Sequence, residues 1–233
     1  NLRRHGGTHG HPDVSIDGIE ANSGSLGMGI SKAKGMAWAK NANNAGGRVM
    51  VMTGDGELQE GQIWESLQTT AHQKVNNLTV IVDFKKFQSD KNLKPIIDLG
   101  DLESKFKVFG WHVERCDGHD FAALEQVFSK LKAVTDKPKV LIADTIKGKG
   151  ISFMEGPTEL PDENFLYKWH AGAPDDDSFE AGYAELAGSI NKRLHSAGLK
   201  ALASEVIETR EKNRVTLKDT AEKVVTAYGQ ALV

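Results

Sequence analysis

Residues 48–56 read Arg48-Val49-Met50-Val51-Met52-Thr53-Gly54-Asp55-Gly56, an apolar run of strand length that ends in an acid between two glycines. An unbroken apolar run predicts a strand buried on both faces, as in a parallel sheet. Ligands of such sheets gather at the carboxyl ends of the strands. Two glycines there let the backbone bend sharply and approach a phosphate. A carboxylate between them suits a hard cation. A helix starting near Glu60 would add free N–H groups and the positive end of its dipole. Gly-Asp-Gly is also an ordinary turn after a strand, so its surroundings decide the reading.

Outward from this stretch the same pattern repeats. Leu78–Phe84, Trp111–Cys116 and Lys139–Thr145 are further short apolar runs. Helical spacing covers Ser25–Asn43, Glu60–Lys74, Asp101–Phe109 and Phe121–Thr135. Strands alternating with helices predict an α/β fold: a doubly wound parallel sheet with helices on both faces. Asn76-Asn77 precedes a strand and reads as a turn, and Trp64 reads as core. Lys147–Pro174 is expected to be a long ordered loop. Asp177–Ala203 and Glu205–Lys212 read as polar helices.

Hydrophobic residues make up 39% and charged residues 26%, a globular balance. The net charge of −3 is spread along the chain without a basic stripe, which argues against a nucleic-acid partner. Cys116 is the single cysteine, so an internal disulfide or a cysteine metal cluster is excluded. Neither a signal segment nor a membrane-spanning apolar run is visible, and a cytoplasmic location is the expectation.

The surroundings of Gly54-Asp55-Gly56 are specific. Glu57, then Glu60-Gly61 and Trp64-Glu65 follow it, and Ile81-Val82-Asp83 and Phe87-Gln88-Ser89-Asp90 come later. Upstream stand Thr8-His9-Gly10-His11-Pro12 and Gly24-Ser25-Leu26-Gly27; downstream stand Lys147-Gly148-Lys149-Gly150 and Trp169-His170. In this order the motifs resemble the thiamine diphosphate site of the transketolase family, over residues 8–170. 1-Deoxyxylulose-5-phosphate synthase shares the Gly-Asp-Gly element. The Thr-x-Gly-His-Pro, Lys-Gly-Lys-Gly and Trp-His elements favour transketolase.

The resemblance implies transfer of a two-carbon ketol unit from a ketose phosphate to an aldose phosphate with thiamine diphosphate. It implies Mg²⁺ held by the Asp55 carboxylate and the Phe87 backbone carbonyl. Gly24, Ser25, Leu26, Gly56, Lys85 and His170 would line the cofactor, and His170 and His11 would face the substrate. Glu60 and Glu65 match family carboxylates near a subunit interface. Residues 1–175 would form the diphosphate-binding domain without the family's usual N-terminal segment. Residues 176–219 would be a helical extension, and 220–233 the start of the pyrimidine-binding domain. The chain would then need that domain, or a C-terminal subunit, in a homodimer or heterotetramer.

The match breaks at one functional position. Where the family places an asparagine metal ligand, this chain has Lys85, and an ammonium offers no lone pair to a metal. Three readings stay open. Lys85 replaces the ion, or it swings away and water fills the metal position, or the site is dead and the chain is a non-catalytic subunit. His9 in place of proline and Met28 in place of glutamine are smaller departures.

Overall fold

The structure, a computed structural model, describes residues 9–158, 164–171 and 173–202. In chain order the elements begin with α1 (Gly29–Ala42), β1 (Val49–Gly54), a 3₁₀ turn (Gly56–Gln59), α2 (Gly61–His72) and β2 (Leu78–Phe84). A small hairpin, β3 (Phe87–Gln88) and β4 (Lys91–Asn92), leads to α3 (Leu93–Ile96) and α4 (Leu102–Val108). Next come β5 (His112–Asp117), α5 (Phe121–Ala133), β6 (Lys139–Asp144), a 3₁₀ turn (Ser152–Met154) and α6 (Asp176–Ser196).

β1, β2, β6 and β5 form a parallel sheet in that order. Alternate side chains leave the sheet on opposite faces. Leu78, Val80, Val82, Val140 and Ile142 join Ile30 of α1, Ile63 and Leu67 of α2 and Phe106 of α4 in one core. Ile81, Leu141 and Ala143 join Val127 and Leu131 of α5 in the other. Helices therefore cover both faces, as the apolar runs predict. Burying each of these large side chains contributes about 1.5–3 kcal/mol. Trp64 packs at the edge of the first core and donates from Nε1 to the Leu58 carbonyl at 2.9 Å.

β1 is an edge strand and pairs on one side only among the described residues. Its Met50 and Met52 are 50% and 69% exposed, because α5 covers β2, β5 and β6 but not this strand.

The element ends differ from the spacing for local reasons. α1 starts at Gly29 rather than Ser25, because Gly24 and Gly27 take φ of +97° and +84°, which a helix cannot contain. α2 starts at Gly61, after the 3₁₀ turn that absorbs Gly56–Gln59. α4 starts where the Asp101 side chain accepts from Ser104 N at 3.1 Å. α6 stops at Ser196, just before Gly198 at φ +70°.

The β3–β4 hairpin and α3 carry no periodic signal. α3 is started by Asn92, which accepts from Lys94 N at 2.9 Å. Asn76 and Asn77 form a turn, tied to the Thr135 and Ala37 carbonyls at 2.6 and 2.9 Å.

The chain divides into two compact units, Asn1–Leu186 and Ala187–Val233, with the break inside α6. The sheet and every candidate site residue lie in the first. Thr8, the helix expected over Glu205–Lys212 and the segment 220–233 lie outside the described residues. Among the described residues no helix is long and apolar enough to cross a membrane.

Candidate functional site

Strand register brings three chain segments out at one end of the sheet. Gly54 stands beside Asp83, Asp83 beside Ala143, and Phe84 beside Asp144. Gly54-Asp55-Gly56, Asp83-Phe84-Lys85 and the residues after Asp144 thus leave the carboxyl ends of neighbouring strands together.

Asp55 is fully buried. Its Oδ1 accepts from Gly56 N at 2.9 Å and from Lys85 Nζ at 3.0 Å, and its Oδ2 accepts from Lys86 N. A buried carboxylate needs such partners, since an unpaired charge there is very costly. Lys85 Nζ also lies 3.3 Å from Asp83 Oδ2, and its side chain keeps 21% exposure. Asp83 in turn accepts from Thr145 Oγ1, which ties the ends of β2 and β6 together.

Lys147 projects from the segment after β6. Its Nζ donates to the Ser89 carbonyl at 2.5 Å, contacts His170 Nδ1 at 3.0 Å and lies 4.8 Å from the Tyr167 ring centre. Burial, and then the positive charge of Lys85, push the Lys147 ammonium below the usual lysine range. Burial, and then Lys147, push His170 below the usual histidine range. With Lys147 protonated, Nδ1 of His170 is the acceptor and the ring proton sits on Nε2, where it can be donated. The His170 loop is held by Trp169, whose Nε1 donates to the Phe153 carbonyl at 3.1 Å.

Gly56 lies against Gln88: a Cβ at residue 56 would stand 3.0 Å from the Gln88 side chain. Gln88 Oε1 and Thr53 Oγ1 are buried without a hydrogen-bond partner among the described residues. Phe87 is 2% exposed, with its ring against Tyr167 and Phe165 at 5.8 and 6.2 Å.

The remaining expected residues form a second group. The His11 ring lies against Gly24, where an added Cβ would come within 2.8 Å of it. Gly24, Ser25 and Leu26 line a cavity of about 270 Å³ together with Met50, Met52 and Glu57. Asp55, Gly56, Lys85 and His170 are not among the residues lining it. Gly27 N, next to this group, donates to Glu57 Oε1 at 2.9 Å, two residues beyond Asp55 in the chain. Glu60, the residue before α2, and Glu65, on α2, are both exposed.

The structure thus brings Asp55, Lys85, Gly56, Phe87 and His170 to one end of the sheet, and sets Gly24, Ser25, Leu26 and His11 beside it. Motif reading assigned no role to Lys147, Asp83 or Gln88. The Lys-Gly-Lys-Gly, Ile-Val-Asp and Phe-Gln-Ser-Asp elements were the available signals for them.

Two lysines that follow neighbouring parallel strands, beside a glycine turn, suit an anionic group such as a diphosphate. The donor set does not suit Mg²⁺. That ion takes six oxygens near 2.0–2.1 Å, whereas here an ammonium stands beside both carboxylates. Among the described residues no cluster of three His, Cys, Asp or Glu could hold a metal.

A doubly wound α/β sheet with such an end defines a domain for a phosphorylated cofactor. The chain belongs to the transketolase family through its thiamine diphosphate binding domain, whose family model matches residues 2–160. It is 33% identical to an apulose-4-phosphate transketolase subunit of Phocaeicola vulgatus over 183 residues, which is 78% of this chain and 62% of that one. It is 39% identical to the 6-deoxy-6-sulfo-D-fructose transketolase subunit SqwG of a Clostridium species, over 60% of this chain and 50% of that one. The transketolase of Campylobacter jejuni superposes with a TM-score of 0.63 at 27% identity, over 84% of this chain and 28% of that one. The chain therefore spans less than two thirds of the length of these relatives.

Proposed function

We propose that this chain is the diphosphate-binding part of a transketolase divided between subunits, and that it transfers a two-carbon ketol unit between sugar phosphates. The observation that carries this reading is the convergence of Gly54-Asp55-Gly56, Lys85, Lys147 and His170 at the carboxyl ends of three parallel strands. The relatives' names support it, since two of them are subunits of transketolases.

Bound thiamine diphosphate supplies the electron sink for cleaving and forming the carbon–carbon bond. The chain's own groups bind and orient. Lys85 and Lys147 offer ammonium protons to phosphate oxygens. Gly54 and Gly56 let the backbone come close. His170, neutral with its proton on Nε2, donates a hydrogen bond to a substrate oxygen. His11 lies on the neighbouring loop beside Gly24 and serves as a second candidate substrate contact. The pyrimidine-binding half comes from a partner subunit or a further domain.

The test is product analysis with a ketose phosphate donor and an aldose phosphate acceptor, using the chain with its copurified partner. Formation of the two-carbon-extended sugar supports the reading. A loaded complex that yields none assigns the chain to a non-catalytic subunit.

A further inference from the structure

We propose that Lys85 is the resident cation of this site, so that the diphosphate is bound without a divalent metal. This rests on the diphosphate-site reading above and adds to it the means of charge neutralisation.

Three observations carry it. First, the Lys85 ammonium fills the place a cation would take. It lies 3.0 Å from Asp55 Oδ1 and 3.3 Å from Asp83 Oδ2. An ion bound to Asp55 at the short distances of Mg²⁺ would share that volume with a group of like charge.

Second, the surroundings are shaped for it. Gly54 borders the ammonium: a Cβ on residue 54 would stand 3.1 Å from Lys85 Nζ. Asp55 is fully buried and has its other hydrogen bonds from Gly56 N and Lys86 N. Among the described residues Lys85 is the one cation paired directly with it.

Third, the ammonium has one donor to spare. Of its three N–H groups, two face Asp55 and Asp83. Among the described residues the third has only the Asp83 carbonyl at 3.5 Å, a weak contact. The side chain is partly exposed and can turn that donor to a phosphate oxygen. Lys147, whose ammonium is disfavoured by burial and by Lys85, gains from an anion bound within its reach. The site thus offers two single charges where a metal-dependent one offers a doubly charged ion.

The experiment is calorimetric titration of the full chain with its partner subunit, using thiamine diphosphate, for the Lys85 form and for Lys85→Asn, each in chelator and in excess Mg²⁺. The expected result is a Lys85 affinity equal in both buffers to within about twofold, and a Lys85→Asn affinity at least about tenfold tighter with Mg²⁺. A tenfold or greater loss for the Lys85 form in chelator overturns the proposal. Mn²⁺ broadening of the Asp55 and Lys86 amide signals, recorded on the chain without cofactor, gives an independent reading. Selective broadening in Lys85→Asn alone supports Lys85 as the resident cation, and broadening in the Lys85 form overturns it. If neither form binds thiamine diphosphate in either buffer, the diphosphate-site reading fails, and the Mn²⁺ result still decides what Lys85 does.

Discussion

Nζ of Lys147 stands 3.0 Å from Nδ1 of His170, joining two segments that lie 23 residues apart in the chain. With Lys147 protonated, the contact makes Nδ1 of His170 the acceptor. Burial, and then Lys147, hold its pKa below the ordinary value. A folded pKa below the unfolded one means that the unfolded chain binds more protons between the two values. The stability this group contributes is therefore present above about pH 6.5 and is lost as pH falls through the folded value. Lys147→Met should raise the midpoint of the His170 ring signals in an NMR titration. An unchanged midpoint would show that the contact does not hold in solution.

Gly148 is a second fixed point of the same segment. An added Cβ would fall 2.1 Å from the Met154 carbonyl oxygen and 2.3 Å from Tyr167 Oη, at φ of +74°. Gly148→Ala should therefore break the hydrogen bond from Tyr167 Oη to the Met154 carbonyl, now 2.7 Å. The expected cost is about 1–3 kcal/mol, read by chemical denaturation. Faster amide exchange should appear over residues 148–156 and not in the sheet.

Thr53 offers a test with the opposite sign. Its hydroxyl oxygen is buried without a partner among the described residues, and such a group costs roughly 1–3 kcal/mol. Thr53→Val keeps the shape and should stabilise the cofactor-free chain by about 1 kcal/mol. A loss of stability on denaturation would mean that the hydroxyl is hydrogen-bonded after all.

Burial separates two apolar residues of equal appearance in the sequence. Leu67 is fully buried and Met52 is 69% exposed. Leu67→Ala should cost about 2–5 kcal/mol, and Met52→Ala less than about 0.5 kcal/mol. Comparable losses from the two variants would mean that Met52 is covered in solution.

Much of this was legible in the chain. The runs Arg48–Thr53, Leu78–Phe84 and Lys139–Thr145 carry so much apolar, β-branched character that strand identity and parallel pairing follow from them. Asp55 and Lys85 were legible as a conflict through the resemblance alone, because an ammonium stands where the family has a metal-ligating asparagine. The start of α1 was not, because Gly27 in a helical stretch can be either tolerated or a stop, and its contact with Glu60 decides. The link between Lys147 and His170 was not legible either. It depends on how a loop folds back, and no period encodes that. Nor does motif order say that Ser25 and Leu26 face a cavity beside β1 while Gly56 faces Gln88.

The half-paired β1 strand has a colloidal consequence. Its Val-Met-Val-Met run leaves one row of backbone donors and acceptors unmatched among the described residues, beside two exposed methionine thioethers. Such an edge templates the addition of any extended strand. Association of the chain then depends on these six residues as well as on its net charge of −3. Its apparent melting temperature becomes a function of how concentrated the sample is.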